Sequence, residues 1–478
     1  MSLNHGINTY KSDTDFAAVK TAGVGIPFFV GAWPCHTAGG FTGKPQLVTS
    51  FGEAKELGGY SSEWRNASKA PKWNLCQAMY SHFKLFGMSP AIFYNVFDPS
   101  KHKEAVTDTE VSVVEHVATV SGDAIKDASF VVKADAKTLV YGTDYEVFYE
   151  DGKCLIELLE DSASYSATKL TVSYNAAKVD TITAADIEAA IEKIEECKSR
   201  FGIVPDLICC PGWSQTPSVA AVMAAKAPSV NGLFKGKAVV DIDTDATTGA
   251  NTYSKTLEWK NKNGYTDENM IVCWPLAKVG DYIFDMSVIA CGVMASVDST
   301  NEDCPYESPS NKGISITGLC DKDGNEINLS VQQADVVSYS AGIVTALNFD
   351  GWKLWGNYTG CWPASSDVSD YFICTNRMMD FVCNTFVNTY WAHLDRPLSR
   401  VRIDAIVNSF NSWLNGLAHD GKLYGGQIKY VASANDTADL VAGKIRLDTS
   451  MASPVPAQRI DMFTEFDVEY LTSALSAA

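Results

Sequence analysis

Short apolar runs alternate with amphipathic stretches near the start of the chain. Residues 26–33 form an apolar run bounded by Gly and Pro, and residues 91–96 form a second run, so we predict a buried strand at each. Between the runs, apolar side chains recur at helical spacing, at Cys76, Met79, Tyr80, Phe83 and Phe86. This order predicts a strand, a helix and a second strand, the opening of an α/β fold.

The same alternation resumes after residue 177. Thr183, followed three residues later by Asp186, predicts the start of a helix, whose apolar face holds Ile187, Ala190, Ile191, Ile194 and Cys197. Further elements are predicted as strands at 205–210, 238–242 and 271–274 and as helices at 219–227 and 286–296. Because strands and helices alternate, we expect a largely parallel sheet and assign residues 21–103 and 178–357 to one α/β domain.

Residues 104–177 differ from this pattern. Segments rich in β-branched and aromatic residues follow one another, at 138–149, 154–156 and 170–174. Asp151-Gly152 lies between two of them and predicts a hairpin, because both turn residues must accept a positive φ. These features predict a small β-rich domain inserted into the α/β domain.

The last quarter of the chain begins with a helical pattern. Long helices are predicted at 370–392 and 402–417, and strands at 422–431 and 443–447. We assign residues 358–458 to a C-terminal domain. Residues 1–20 and 459–478 are assigned to extended terminal arms.

The C-terminal arm has a strict period of two. The even residues Ile460, Met462, Thr464, Phe466, Val468 and Tyr470 are mainly apolar, and the odd residues Asp461, Phe463, Glu465, Asp467 and Glu469 are mainly acidic. This pattern predicts a strand about 36 Å long with one apolar face. Such a strand must pair with a sheet of its own chain or of a neighbour, and the pattern alone leaves both open.

Composition and charge narrow the functional classes. The 478 residues are 46% hydrophobic, which predicts a globular protein of several domains. The formal net charge of −19 disfavours direct binding of nucleic acid. Polar residues near the N-terminus and the lack of a long uncharged apolar run predict neither a secretory signal nor a membrane span, so we expect folding in a cytoplasm.

The Cys and His residues show no pattern that predicts a metal site or a redox site. The 13 cysteines are scattered through apolar runs without a Cys-x-x-Cys pair, which is typical of reduced core thiols. The seven histidines show no ligand spacing. We therefore expect no metal and no cofactor.

Three segments resemble catalytic or binding motifs incompletely. Gly212-Trp-Ser214-Gln-Thr216 has Thr where a nucleophile elbow needs its second Gly. Residues 39–45 (GGFTGKP) place Pro45 where a phosphate loop needs a hydroxyl. The loop 241–245 (DIDTD) is followed by Ala246 where a calcium loop needs Gly. No catalytic residue is predicted.

Segments in order along the chain resemble the contractile tail sheath proteins of myophages, R-type bacteriocins and related injection systems. They are His5-Gly6-Ile7, 25–31 (GIPFFVG), 45–53 (PQLVTSFGE), 204–207 (VPDL), 210–214 (CPGWS), 295–298 (ASVD), 305–314 (PYESPSNKGI), 376–380 (NRMMD), 421–426 (GKLYGG) and 454–458 (PVPAQ). Residues 104–177 depart from the family, which often carries a variable outward-facing insertion at this place.

The resemblance implies a multidomain sheath fold with an α/β core, a β-rich insertion and extended terminal arms, α+β overall. It implies a structural subunit without enzymatic activity that stacks in hexameric rings around an inner tube protein and contracts to drive the tube through a cell envelope. Baseplate and tail terminator proteins are the other implied partners. Assembly is expected in the bacterial host cytoplasm, with no membrane insertion, and the phage and bacteriocin alternatives stay open.

The resemblance also implies two sets of site residues. Arm strands that add to neighbouring subunits are expected at His5, Gly6, Ile7, Asn8, Ile460, Met462, Phe466, Val468 and Tyr470. Charges that face the tube are expected at Arg377, Arg396, Arg400 and Arg402. Two alternatives remain, namely a cytoplasmic α/β enzyme (a hydrolase or an oxidoreductase) and a non-contractile shell protein built by strand exchange.

Overall fold

Six short strands form the central sheet of the computed structural model, which describes residues 19–65, 70–150 and 152–476. Their order across the sheet is Met270–Cys273, Lys237–Asp241, Leu207–Cys209, Pro27–Gly31, Ala91–Asn95 and Gln46–Val48. All neighbouring pairs are parallel except the last, in which Gln46–Val48 runs antiparallel to Ala91–Asn95. Side chains of both faces are buried, as expected for strands covered by helices.

Helices between these strands pack against the central sheet. They are Phe51–Gly58, Asn74–Tyr80, Ala184–Ile191, Glu196–Phe201, Pro217–Lys226, Thr256–Lys262 and Met286–Thr300. The start predicted at Thr183 is confirmed, since its side chain accepts from the amide of Asp186 while the Asp186 carboxylate accepts from the amide of Thr183. Met286–Thr300 is almost wholly buried, which explains its run of small side chains.

The insertion is an eight-stranded antiparallel sheet with its own hydrophobic core. Its strands are Lys103–Val114, Val117–Ser121, Ala124–Ile125, Val131–Ala134, Lys137–Thr138, Tyr145–Glu150, Lys153–Leu158 and Lys169–Ala177. It contacts the α/β body through polar links, among them the ion pair of Lys72 with Asp123 at 2.9 Å. The imidazole Nε2 of His36 also lies 2.9 Å from the carbonyl oxygen of Gly122.

Two small sheets extend the body after the central sheet. One contains Leu276–Val279, Tyr282–Phe284, Gly318–Cys320 and Glu326–Ile327, and the other contains Lys312–Gly313, Thr345–Asn348 and Trp352–Trp355. Between them lies the short helix Val331–Asp335. Asp323 and Gly324 lie in the turn between the paired strands Gly318–Cys320 and Glu326–Ile327.

The C-terminal unit consists of two long helices and a two-stranded sheet. The helices Ile373–Tyr390 and Arg400–His419 confirm the two predicted ones, because their apolar faces meet in a separate core. The sheet pairs Gly425–Tyr430 with Leu447–Ala452. The strand predicted at 443–447 is wrong, because Gly443 adopts a φ of +75° at the end of the short helix Thr437–Val441 and the extended segment begins only at Leu447.

The architecture is α/β overall, as predicted. Among the helices of the described ranges, none is both long and apolar enough to cross a bilayer.

Candidate assembly surfaces

Arg377 lies in the interior of the molecule, so the prediction that it faces a tube is wrong. Its side chain is 4% exposed and donates to Asp298 Oδ1 at 3.0 Å and to Asp206 Oδ2 at 2.8 Å. Asp206 in turn accepts from the amide of Ile26 at 2.8 Å. The guanidinium therefore ties helix Ile373–Tyr390 to the core helix Met286–Thr300 and to the entrance of the central sheet.

The charges of this cluster depend on one another. Burial raises the pKa of Asp298 to about 6, although Arg377 counteracts the effect. Burial alone would lower the pKa of Arg377, but the carboxylates of Asp298 and Asp206 raise it well above its usual value. The cluster is a buried structural joint between the body and the C-terminal unit.

The other three predicted tube-facing arginines lie on the surface of the C-terminal unit. Arg396 lies in the exposed loop between the two long helices, Arg400 pairs with Asp404 at 3.0 Å, and Arg402 donates to the carbonyl oxygen of Pro397. Four large apolar side chains that sequence analysis missed are exposed in the same part of the chain, namely Trp391, Leu394 and Leu398 before helix Arg400–His419 and Val401 in its first turn. We name residues 391–402 the apolar-basic loop.

The N-terminal arm residues His5, Gly6, Ile7 and Asn8 lie outside the described residues. From residue 19 onward the chain runs along helix Ile373–Tyr390. The amide of Lys20 donates to the Thr389 hydroxyl at 3.0 Å, and the amide of Ala22 donates to the Thr385 hydroxyl at 3.1 Å. The described chain therefore begins beside the C-terminal unit.

Residues 453–476, which we call the terminal segment, form no strand within the chain. Within the single subunit the stretch 460–470 forms no strand, since residues 460–467 have no regular structure and Val468 and Tyr470 lie in the helix Val468–Ser476. Pairing with a neighbouring subunit stays a prediction. A strand needs backbone partners, and none of the described strands of the same subunit pairs with this segment. The last contact with the body in the described part is a hydrogen bond of 3.2 Å from the Tyr358 hydroxyl to Gln458.

The terminal segment leaves its apolar side chains in solvent. Ile460, Met462, Phe463 and Phe466 are 87%, 84%, 95% and 78% exposed. Val468, Tyr470, Leu471 and Leu475 are exposed as well. A contiguous exposed apolar stretch of this kind marks a surface that another molecule covers.

The C-terminal unit contains a large apolar groove, which we call the apolar groove. It has a volume of about 750 Å³ and lies between strand Leu447–Ala452 and helix Ile373–Tyr390. Its walls include Phe386, Leu394, Ile445, Leu447 and Met451. The sequence pattern did not predict the groove, because its two walls are about 60 residues apart in the chain.

The segments that resembled catalytic motifs are structural. Ser214 is fully buried, and its hydroxyl donates to Asp241 at 3.0 Å while it accepts from the amide of the same residue. Burial next to Asp285 raises the pKa of Asp241 to about 7. Because the Ser214 hydroxyl has neither solvent access nor a histidine partner among the described residues, it cannot act as a nucleophile.

The segments that resemble a calcium loop and a phosphate loop also have structural roles. Lys322 pairs with Asp245, whose other oxygen accepts from the amides of Thr247 and Thr248. Residues 39–45 lead into strand Gln46–Val48 instead of a helix, so they lack the helix N-terminus that holds a phosphate. Neither segment has the geometry of a cofactor site.

The position at which doubly wound sheets bind ligands is filled. Strands Pro27–Gly31 and Leu207–Cys209 are neighbours whose connections leave in opposite directions, so a crevice is expected at their carboxyl ends. Asn74 occupies it, accepting from the amide of Ala32 at 2.6 Å and donating to the carbonyl oxygen of Pro211. This arrangement argues against the hydrolase and oxidoreductase alternative.

Curated relatives match this chain over 59–98% of its length, although no established family profile matches the sequence. The tail sheath protein of Burkholderia phage BcepMu is 23% identical over 98% of this chain and 97% of its own length. A putative prophage major tail sheath protein of Pseudomonas aeruginosa is 25% identical over 63% of this chain and 75% of its own length. The tail sheath protein of Escherichia phage P2 is 22% identical over 59% of this chain and 68% of its own length.

Solved structures share the fold. The helical sheath of the anti-feeding prophage in its contracted state superposes with a TM-score of 0.57 at 13% identity, over 98% of this chain and 100% of that chain. The contracted sheath of the PVC extracellular contractile injection system gives a TM-score of 0.57 at 14% identity, with the same coverage of both chains. Similarity to tail sheath proteins along nearly the whole chain, together with the shared fold of contractile sheaths, supports a structural sheath subunit rather than an enzyme.

Proposed function

We propose that this chain polymerises as hexameric rings stacked helically around an inner tail tube. Contraction of the polymer then drives the tube through the envelope of a target cell. Assembly takes place in the cytoplasm of the bacterial host, with the baseplate at one end of the sheath and a terminator protein at the other. The terminal segment is the observation that carries the proposal.

The terminal segment has the properties of an arm that is donated to another subunit. Each of its large apolar side chains would contribute roughly 1.5–3 kcal/mol when buried, so leaving several of them in water is costly unless a partner covers them. Its alternation suits a strand, and backbone hydrogen bonds of an added strand are independent of side-chain identity. Such links persist while neighbouring subunits rotate against one another, as contraction requires.

Contraction needs no nucleotide in this proposal. The free energy is stored in assembly, because the extended sheath is a less stable packing than the contracted one. The buried Arg377 cluster supports this view, since it keeps the C-terminal unit fixed to the body while contacts between subunits exchange. Each subunit then moves as a rigid unit linked by its arms.

The same proposal assigns roles to the apolar-basic loop and to the insertion. The apolar-basic loop, with Arg396, Arg400 and Arg402, contacts the wall of the tube. The insertion, residues 104–177, faces outward, because it has a core of its own. The domain limits follow as 1–20, 21–103 with 178–357, 104–177, 358–458 and 459–478.

Deletion of residues 459–478 tests the proposal. The full chain should form hollow tubes or rings in negative-stain electron microscopy, and the truncated chain should stay monomeric with an unchanged thermal unfolding midpoint. The double substitution Phe463→Asp with Phe466→Asp should also abolish polymers. Its control is Val114→Asp on the insertion, where the Val is exposed as well and should tolerate the charge. Polymers of the truncated chain would disprove the arm hypothesis, and a stable full-length monomer at high concentration would contradict the sheath proposal itself.

A further inference from the structure

His36 lies where the α/β body touches the insertion, a few residues after strand Pro27–Gly31. Its Nε2 lies 2.9 Å from the carbonyl oxygen of Gly122, in the turn between strands Val117–Ser121 and Ala124–Ile125 of the insertion. Because a carbonyl oxygen only accepts, Nε2 carries a proton and donates it to this bond. The imidazole therefore links the two parts of the chain by a direct hydrogen bond.

The other ring nitrogen has no partner. Among the described residues, no group forms a hydrogen bond with Nδ1 of His36, and this atom is shielded from solvent. In the neutral ring Nδ1 bears only a lone pair. Protonation would add an N–H group there, and a buried donor without an acceptor is costly. The docked arrangement therefore suits the neutral ring and disfavours the charged one.

Aromatic rings surround His36 from both parts of the chain. The ring centroids of Trp73 and Phe97 in the body and of Tyr149 in the insertion lie 5.6, 5.6 and 5.8 Å from that of His36. The Tyr149 hydroxyl donates to the carbonyl oxygen of Ala124 at 2.6 Å. These rings keep water from the imidazole and supply no acceptor for a second N–H group.

Two charged side chains face the ring with opposite effects. Lys72 of the body and Asp123 of the insertion form an ion pair at 2.9 Å across the same contact. Burial is the largest effect on His36, and it lowers the pKa of the ring from its usual 6.5. The carbonyl oxygen of Gly122 and the carboxylate of Asp123 oppose this shift in pKa, whereas the ammonium of Lys72 adds to it.

A cleft separates the body from the insertion beside this contact. Its volume is about 530 Å³, and its walls include Lys55 and Trp73 of the body and Asp123 and Lys153 of the insertion. The chain enters the insertion at 103–104 and leaves it at 177–178, so two crossings connect the parts covalently. Because the insertion has its own hydrophobic core, it can turn about these crossings as one unit without exposing that core.

We infer that His36 is a pH-sensitive switch between the body and the insertion, which stays docked while the ring is neutral and is released when the ring is protonated. In the open arrangement, water accepts from both N–H groups of the charged ring. The open arrangement therefore binds the proton more tightly than the docked one. Docking is strongest above pH 6.5, and the open-to-docked ratio rises by up to about tenfold for each pH unit below it.

Spin labels on opposite walls of the cleft measure the opening. Lys55→Cys on the body and Lys153→Cys on the insertion replace two exposed lysines, in a Cys383→Ser background because the other native cysteines are buried. The labelled chain is diluted with unlabelled chain, so that double electron–electron resonance reports distances within one subunit. Lys153→Cys with Lys169→Cys is the control pair, because both positions lie within the insertion.

The expected result across the cleft is one narrow distance distribution at about pH 8 and an added population at longer distances at about pH 5. The control pair should give the same distribution at both pH values. An unchanged distribution across the cleft would overturn the inference. A pH-dependent change in the control pair would also overturn it, because the insertion would then unfold instead of turning.

Two substitutions assign the response to a residue. His36→Gln retains an N–H donor for Gly122 but takes up no proton, so its distances across the cleft should not depend on pH. His116→Gln, at an exposed position of the insertion, should open in acid like the unsubstituted chain. A His36→Gln chain that is open at both pH values would still support His36 as the contact. Acid opening of equal extent in His36→Gln would show that another group is the switch.

Discussion

Arg377 and Asp298 form a charge-assisted pair with two hydrogen bonds, buried between the C-terminal unit and the core helix Met286–Thr300. The two residues are 79 positions apart in the chain, and both side chains are almost fully shielded from water, at 4% and 1% exposure. A second carboxylate, that of Asp206, completes the cluster. The C-terminal unit is therefore fixed to the body by electrostatics in a dry environment.

Arg377→Met should destabilise the subunit by about 3–5 kcal/mol, because two buried carboxylates would lose their partner. Arg377→Lys should recover only part of the loss, since an ammonium cannot reproduce the planar fork of the guanidinium. Urea unfolding followed by tryptophan fluorescence measures both. Arg400→Met is the control, because its partner Asp404 is solvated, and it should cost less than about 1 kcal/mol. Equal losses for the two substitutions would contradict a buried joint.

Lys260 is another buried basic residue, and among the described residues its amine donates to carbonyl oxygens. Its ammonium donates to the carbonyl oxygens of Ala341 and Trp362, each at 2.7 Å. Lys260→Met should therefore cost about 2–5 kcal/mol, since these acceptors would be left buried without donors. Lys262→Met, at an exposed position of the same helix, is the matched control, and thermal unfolding compares the two. A shift in unfolding midpoint no larger than that of the control would refute the structural role.

His82 should make stability depend on pH. Burial lowers the pKa of His82 from 6.5 to about 4, so the unfolded chain binds a proton near pH 6.5 while the folded chain does so only near pH 4. Stability is retained above pH 6.5 and is lost as the pH falls toward 4, by up to about 3 kcal/mol from this one group.

His82→Gln should flatten the unfolding free energy between pH 4 and pH 6.5, relative to the unsubstituted chain. His419→Gln, at an exposed site, serves as the comparison and should leave the slope unchanged. Chemical denaturation at several pH values provides the measurement. An unaltered slope in the His82 variant would show that other groups cause the acid sensitivity.

The apolar-basic loop should matter for the tube but not for the sheath. Trp391 is 59% exposed beside Arg396, and we expect Trp391→Ser with Arg396→Glu to form empty sheath polymers that no longer enclose the inner tube protein. Electron microscopy of the two proteins mixed together distinguishes filled from empty tubes. Val114→Ser on the insertion is the control and should still enclose the tube protein. If the loop variant formed no sheath polymer at all, the loop would lie between sheath subunits instead of against the tube.

Local patterns were sufficient for much of the fold. The βαβ opening, the cap at Thr183 and the long helices of the C-terminal unit follow from spacing and capping chemistry, which act over a few residues. The strand expected at 443–447 failed because the conformation of Gly443 depends on how the preceding helix ends. The burial of Arg377 was missed because a charged side chain on a helix is ordinarily solvated, and its two carboxylate partners lie far away in sequence.

The sequence by itself determined that residues 460–470 have an apolar and an acidic face, because the period of two is a property of consecutive side chains. It left open whether that segment pairs with its own subunit. Only the tertiary structure decided this for the single subunit, by leaving the segment in solvent. The apolar groove beside Leu447–Ala452 likewise exists only once a helix and a strand about 60 residues apart in the chain have packed together.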